Sequence, residues 1–177
     1  MPLNPDTKDW TWVLTKRCPE CGFDASDFEQ VAPGEVILSQ ADSWQTVLSG
    51  TSCSQRTDPD RWSALEYGCH VRDVFRIFQE RVTNMLELDE PLFANWDQDA
   101  TAIEERYDTQ DPATVRQELK DAATTLAATF GRVEGAQWER RGTRSDGRHF
   151  TVRTLSLYLL HDPFHHLWDV TPSRTHS

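Results

Sequence analysis

The sequence predicts an all-α fold of four amphipathic helices, with a long connection between the second and the third. Three observations predict it. Apolar residues recur at helical spacing in four separate stretches, capping or stop residues bracket those stretches, and the link from Glu87 to Asp111 carries no helical period.

The first helix begins at Pro33, a residue suited to a first turn, and runs through Ile37, Ala41, Trp44 and Leu48 to a stop at Gly50. Asp58-Pro59 then marks a turn. Ser63, with Glu66 three residues later, forms a capping box for the second helix, whose stripe is Tyr67, Val71, Val74, Phe78, Val82 and Met85. His70 falls within that stripe, with Glu66 and Asp73 one turn to either side as candidate carboxylate partners. The acidic link that follows contains Phe93, Trp96 and Tyr107, which favour an ordered crossover that covers the site. Asp111-Pro112 opens the third helix, which continues through Val115, Leu119, Ala122, Leu126 and Phe130 and fades by Gly131 or Gly135. Trp138 to Phe150 reads as a basic loop with a turn at Ser145-Asp146-Gly147. Its arginines, Arg140, Arg141, Arg144 and Arg148, either bind an anion or lie on a solvated surface. Thr151 caps the last helix, which extends to about Val170 with Pro172 as a stop signal; the internal Pro163 predicts a kink near Leu159.

The 177 residues suit one domain, residues 1–177, with residues 1–25 as an N-terminal arm. A formal net charge of -11 opposes binding to a phosphate backbone, so no nucleic-acid partner is expected. No apolar run approaches the ~20 residues needed to cross a bilayer, and no leader pattern is present, so the expected location is the cytoplasm, away from membranes. The four cysteines are expected to be reduced thiols. Two of them form a knuckle, Cys18-Pro19-Glu20-Cys21-Gly22, that looks like half of a zinc-ribbon site. A second metal there requires Cys53, Cys69 or a histidine to complete it; the alternative is a plain pair of turn cysteines.

Three of the six histidines lie in one stretch, His161-Asp162-Pro163-Phe164-His165-His166. His161 and His165 are one helical turn apart on a face shared with apolar residues, where two neutral imidazoles need partners, and a shared metal ion supplies them. His149 and His176 fall in loop-like or terminal sequence, which leaves His70 as the third candidate ligand. A core histidine held by a nearby carboxylate is the bland alternative for His70.

Leu65-Glu66-Tyr67-Gly68-Cys69-His70-Val71-Arg72-Asp73, Ala94-Asn95-Trp96-Asp97, the histidine stretch and the cysteine knuckle together resemble the DinB-like metalloprotein superfamily, its actinobacterial members most of all. The resemblance covers most of the chain. It implies a four-helix bundle with a long crossover between helices 2 and 3 and a divalent metal ion, zinc or nickel, held by three histidines. Carried over by position, those are His70, His161 and His165; His166 is expected to point away from the pair. Three protein ligands leave a coordination position open, as catalytic metals require. The resemblance further implies a transferase or isomerase that uses a low-molecular-weight thiol such as mycothiol as cosubstrate with an electrophilic partner, with Trp96 and Asp97 shaping the pocket. A metal-dependent hydrolase and a non-catalytic metal- or ligand-binding bundle are the alternatives. No catalytic base is assigned. Pairing of two chains into a homodimer is also expected, with the aromatic arm at Trp10 and Trp12 as a candidate contact.

Overall fold

The computed structural model describes residues 9–171, so His176 and Pro172 lie outside the described residues. Four long helices form the body: α1 (Pro33–Leu48), α2 (Ala64–Glu87), α4 (Pro112–Phe130) and α5 (Val152–Val170). A short α3 (Gln98–Glu104) interrupts the crossover. The result is the expected four-helix bundle, in which α4 packs on both α1 and α2, and α5 packs on the same two helices.

Pro33 opens α1 without a side-chain cap, whereas the other long helices start on side chains that satisfy their free N–H groups. Ser63 Oγ accepts from Glu66 N at 3.2 Å while Glu66 Oε2 accepts from Ser63 N at 2.8 Å, completing the capping box. Asp111 Oδ2 accepts from Thr114 N at 2.8 Å ahead of Pro112, and Thr151 Oγ1 accepts from Thr154 N at 3.1 Å. The core contains Ile37, Trp44, Val74, Phe75, Leu119, Leu126, Leu155 and Leu159. Along α4 it is Ala123, not Ala122, that is fully buried. The α5 helix is continuous through Pro163. The Gln40 amide, buried on α1, donates to Leu160 O at 2.9 Å, next to the Leu159 carbonyl that Pro163 leaves without its helical donor.

Two regions depart from the expected picture of four amphipathic helices joined by loops. The basic loop is a hairpin, with β2 (Arg141–Arg144) antiparallel to β3 (His149–Thr151), and β1 (Leu92–Phe93) from the crossover adds to β2 in parallel. Gly142 permits this pairing, because a Cβ there would lie 2.3 Å from Phe93 Cζ. Three of the four arginines are occupied within the chain: Arg144 pairs with Asp146 at 2.7 Å, Arg148 with Asp9 at 2.5 Å, and Arg140 donates to the carbonyls of Met85 and Leu88, while the exposed Arg141 reaches Glu90 only at 4.0 Å. A free anion-binding cluster is therefore not what this stretch forms.

The second departure is α2, which is buried on most sides from Leu65 to Phe75 and not along one stripe. Its polar residues there are internally matched. Arg72 donates twice to Asp73 and once each to Gln110 and Glu118, and Tyr107 donates to Asp73 at 2.5 Å. The crossover is thereby fastened to α2 through a turn of 3-10 helix at Tyr107–Thr109. Among the described residues no helix is long and apolar enough to cross a membrane.

The N-terminal arm folds back on the bundle as two 3-10 turns, Trp10–Leu14 and Ala25–Phe28, with the cysteine knuckle between them. Trp10 packs on His161 and His165, with ring centroids 5.3 and 5.1 Å apart. That contact is intramolecular.

Candidate metal centre

The three imidazoles expected to converge are divided between two groups. His70 lies with Asp162 and His166, whereas His161 and His165 lie with Cys18 and Cys21; within each group one ligand atom per residue falls within 4.8 Å of the others. The reason is helix geometry. Successive residues step by about 100°, so His161/His165 and Asp162/His166 are two overlapping i,i+4 pairs on adjacent faces of α5. The face turned to α2 carries Asp162 and His166; the face under the N-terminal arm carries His161 and His165. A search of the sequence for His-x-x-x-His passes over the Asp-x-x-x-His pair one residue later, although both were in plain view.

In the first group His70 is fully buried on α2, stacked on Trp96 at 5.2 Å with its ring nearly parallel, and edge-on to His166 at 4.9 Å. Its Nε2 is 3.2 Å from Asp162 Oδ1, which is also 3.8 Å from His166 Nε2. The flanking carboxylates singled out in the sequence serve other partners: Glu66 caps α2 and pairs with Arg56, and Asp73 holds Arg72. His166 Nδ1 is 2.9 Å from Asp169 Oδ2. A hydrogen bond donated there sets the tautomer and leaves Nε2 with its lone pair directed away from Asp169. Burial raises the Asp162 carboxyl, but the His70 and His166 imidazoles outweigh it and hold that carboxyl well below the usual carboxylate range.

The donor set fits a divalent cation. Nitrogen and oxygen ligands ~2.0–2.2 Å from one ion stand roughly 3.0–3.6 Å apart; one observed separation falls inside that range and the other slightly beyond it. Asp162 Oδ1, the atom facing both imidazoles, has no hydrogen-bond partner among the described residues. The His70–Asp162 hydrogen bond runs to the other oxygen, Oδ2, at 3.4 Å, and leaves Oδ1 between the two imidazoles. Two imidazoles and one carboxylate are also a common set for metals that keep a position open.

Asp162 and His166 line a cavity of about 710 Å³, with His70 buried behind them; His161 and His165 of the second group line the same cavity. Its rim comes from the crossover at Asn95, Trp96, Asp97, Gln98 and Asp99, from the hairpin at Arg144, Ser145 and Asp146, and from Asp9 and Trp10 of the arm. Trp96 and Asp97 thus stand in the cavity wall. Trp96 is fixed by Nε1 donating to Thr101 Oγ1 at 2.8 Å, and Asp97 caps α3 through Ala100 N at 2.9 Å.

The second group sits beside the first. Cys18 Sγ is 3.6 Å from His165 Nδ1, and His165 Nε2 is 3.3 Å from Glu20 Oε2. Burial lowers His161 to about 4 and also lowers His165, so both rings are neutral near pH 7.

A sequence model of the DinB superfamily matches residues 38–170. Among solved structures, YfiT from Bacillus subtilis is similar, with a TM-score of 0.69 and 19% identity over 78% of this chain and 83% of that one. YfiT is described as a probable metal-dependent hydrolase with an unusual four-helix bundle topology. At this identity the likeness speaks to the fold. No curated protein matches the chain.

Proposed function

We propose a function that starts from one fact: the chain belongs to the DinB superfamily. On that basis it is a metal-dependent enzyme that transfers a low-molecular-weight thiol of the mycothiol type to, or rearranges it on, a small electrophile, with His70, Asp162 and His166 as the metal ligands. The observation that carries the proposal is the convergence of those three side chains beside a cavity, with Asp162 Oδ1 unsatisfied between two imidazoles. A zinc or nickel ion held there supplies Lewis acidity, which favours a thiolate over its thiol and polarises an electrophile.

The chain's own residues account for the rest. Asp169 orients His166, and Trp96 stacks on His70 and keeps water from its buried face. A volume of about 710 Å³ lies within the usual range for small-molecule sites, roughly 300–1,000 Å³. Asp97 in the rim spends one carboxylate oxygen on Ala100 N, and the acceptor capacity that remains suits a hydroxyl-rich thiol that presents many donors.

The second reading, hydrolysis, takes water in place of the thiol. Two observations favour it: the mixed imidazole–carboxylate donor set and the description of the structurally similar YfiT. One experiment separates the two. Electrophile turnover is measured with zinc- or nickel-loaded protein, with and without mycothiol, for the native chain and for His166→Ala. Thiol transfer predicts product only with mycothiol and its loss in His166→Ala. Product formed equally well without any thiol would replace the first reading by the second, and full activity in His166→Ala would remove both.

A further inference from the structure

The cysteine knuckle and the other face of α5 form a second site with a different chemistry. We infer that Cys18, Cys21, His161 and His165 bind one zinc ion in a closed tetrahedral site that locks the N-terminal arm to the last helix.

Four observations converge on this. The donor atoms of two cysteines and two histidines come within 4.8 Å of one another, although the knuckle and the histidines are separated by more than a hundred residues of chain. The knuckle is shaped to aim both sulfurs at one point: Cys18 N donates to Phe23 O at 2.8 Å, Gly22 N donates to Cys18 O at 2.9 Å, and Gly22 takes the left-handed conformation at φ 80°. For zinc with Zn–S ~2.3 Å and Zn–N ~2.0–2.1 Å, tetrahedral angles place sulfur and nitrogen about 3.6 Å apart; Cys18 Sγ and His165 Nδ1 are 3.6 Å apart. Finally, Glu20 from inside the knuckle faces His165 Nε2 at 3.3 Å, so that nitrogen can carry the proton and leave Nδ1 as the donor towards the sulfurs.

A thiol–imidazole hydrogen bond would explain the Cys18–His165 contact alone. It leaves His161 unexplained. That ring is only 4% exposed, and its Nε2 has no hydrogen-bond partner among the described residues. Cys18 and His165 are buried with it. Zinc binding displaces the two thiol protons to solvent, so the two thiolates and the cation sum to zero charge in an apolar setting flanked by Trp10 and Phe23. With all four positions taken by protein, this ion has no room for substrate. Its role is to hold the arm, and with it the cavity wall at Asp9 and Trp10, against α5.

The test uses the full chain, loaded with zinc and then with cobalt(II) in its place. Thiolate-to-cobalt charge-transfer absorption in the near ultraviolet reports sulfur ligation, which the His70 group cannot give. The expected band is roughly halved in Cys18→Ser, reflecting one thiolate of two, and unchanged in His166→Ala. Should Cys18→Ser not fold, the native chain still decides: Cys18 and Cys21 of the zinc-loaded protein react with iodoacetamide roughly tenfold or more slowly than after chelation. No thiolate band, or equal alkylation rates with and without zinc, overturns the inference. A full thiolate band in a chain that binds only one ion supports this site and counts against the one at His70.

Discussion

Tyr107→Phe isolates one of the bonds that fasten the crossover, and with it the cavity rim, to α2. The hydroxyl, on a residue that is fully buried, donates to Asp73 Oδ2 at 2.5 Å. Phenylalanine keeps the ring, so no cavity opens and only the hydrogen bond is lost. A bond to an ionised acceptor contributes ~1.5–3 kcal/mol. Asp73 keeps Arg72 and Arg76 as donors, at 2.9 and 3.1 Å, so it is not orphaned and the cost falls at the low end, ~1.5–2 kcal/mol. The effect also depends on pH. Burial raises the Asp73 carboxyl, but hydrogen bonds from Arg72 and Tyr107 outweigh it and leave the carboxyl below its ordinary value. A carboxyl depressed in the folded state contributes stability that is full above its unfolded value, ~3.9, and is lost as pH falls through the lower folded value. Urea denaturation of native and Tyr107→Phe protein at pH 7 and in steps below pH ~4 should therefore show the gap between them narrowing only in acid. A gap under ~0.5 kcal/mol at pH 7, or one that does not change with pH, would refute the reasoning.

Asp169→Ala should weaken metal binding at the His70 group by roughly 10–100-fold, because His166 loses the carboxylate that orients it; competition with a chromophoric chelator measures this, and unchanged affinity would remove Asp169 from the account. Gly142→Ala should destabilise by ~1–3 kcal/mol in a denaturant titration, since its Cβ would meet Phe93 Cζ at 2.3 Å and push β1 off β2; a neutral result would mean the small sheet gives way freely. Leu119→Ala, in the core of α4, should cost ~2–5 kcal/mol while leaving metal affinity in the folded protein unchanged, and a parallel loss of affinity would show that the site depends on bundle packing at large.

The helices were legible in the sequence because their signals are local. Pro33, the Ser63–Glu66 box, Asp111-Pro112 and Thr151 each act within four residues, and the apolar stripes run between them. The hairpin was not legible: β1 and β2 pair only once the crossover is laid beside residues 141–144, and each strand is too short to show an alternating pattern. The burial of Arg72 and Asp73 was hidden for a similar reason. Charges on a helix read as a solvated face unless the residues that match them, here Gln110, Glu118 and Tyr107, are known to arrive from elsewhere.

The site was half legible. All the histidines involved were visible, as was the cysteine knuckle, but their partition was not. Spacing alone makes His161 and His165 the natural pair for His70; which face of α5 turns to α2 is decided by packing along the whole helix. Had Asp162 been counted as a ligand type alongside histidine, the overlapping Asp162/His166 pair would have stood as an equal alternative.

The central claim is that a cation sits among His70, Asp162 and His166, and anomalous diffraction at the zinc edge from zinc-loaded crystals tests it most directly. The account predicts an anomalous peak bonded to His70 Nε2, Asp162 Oδ1 and His166 Nε2, with a face open to the cavity. No peak at that position, or one ion joining His70 to His161 and His165, would contradict it.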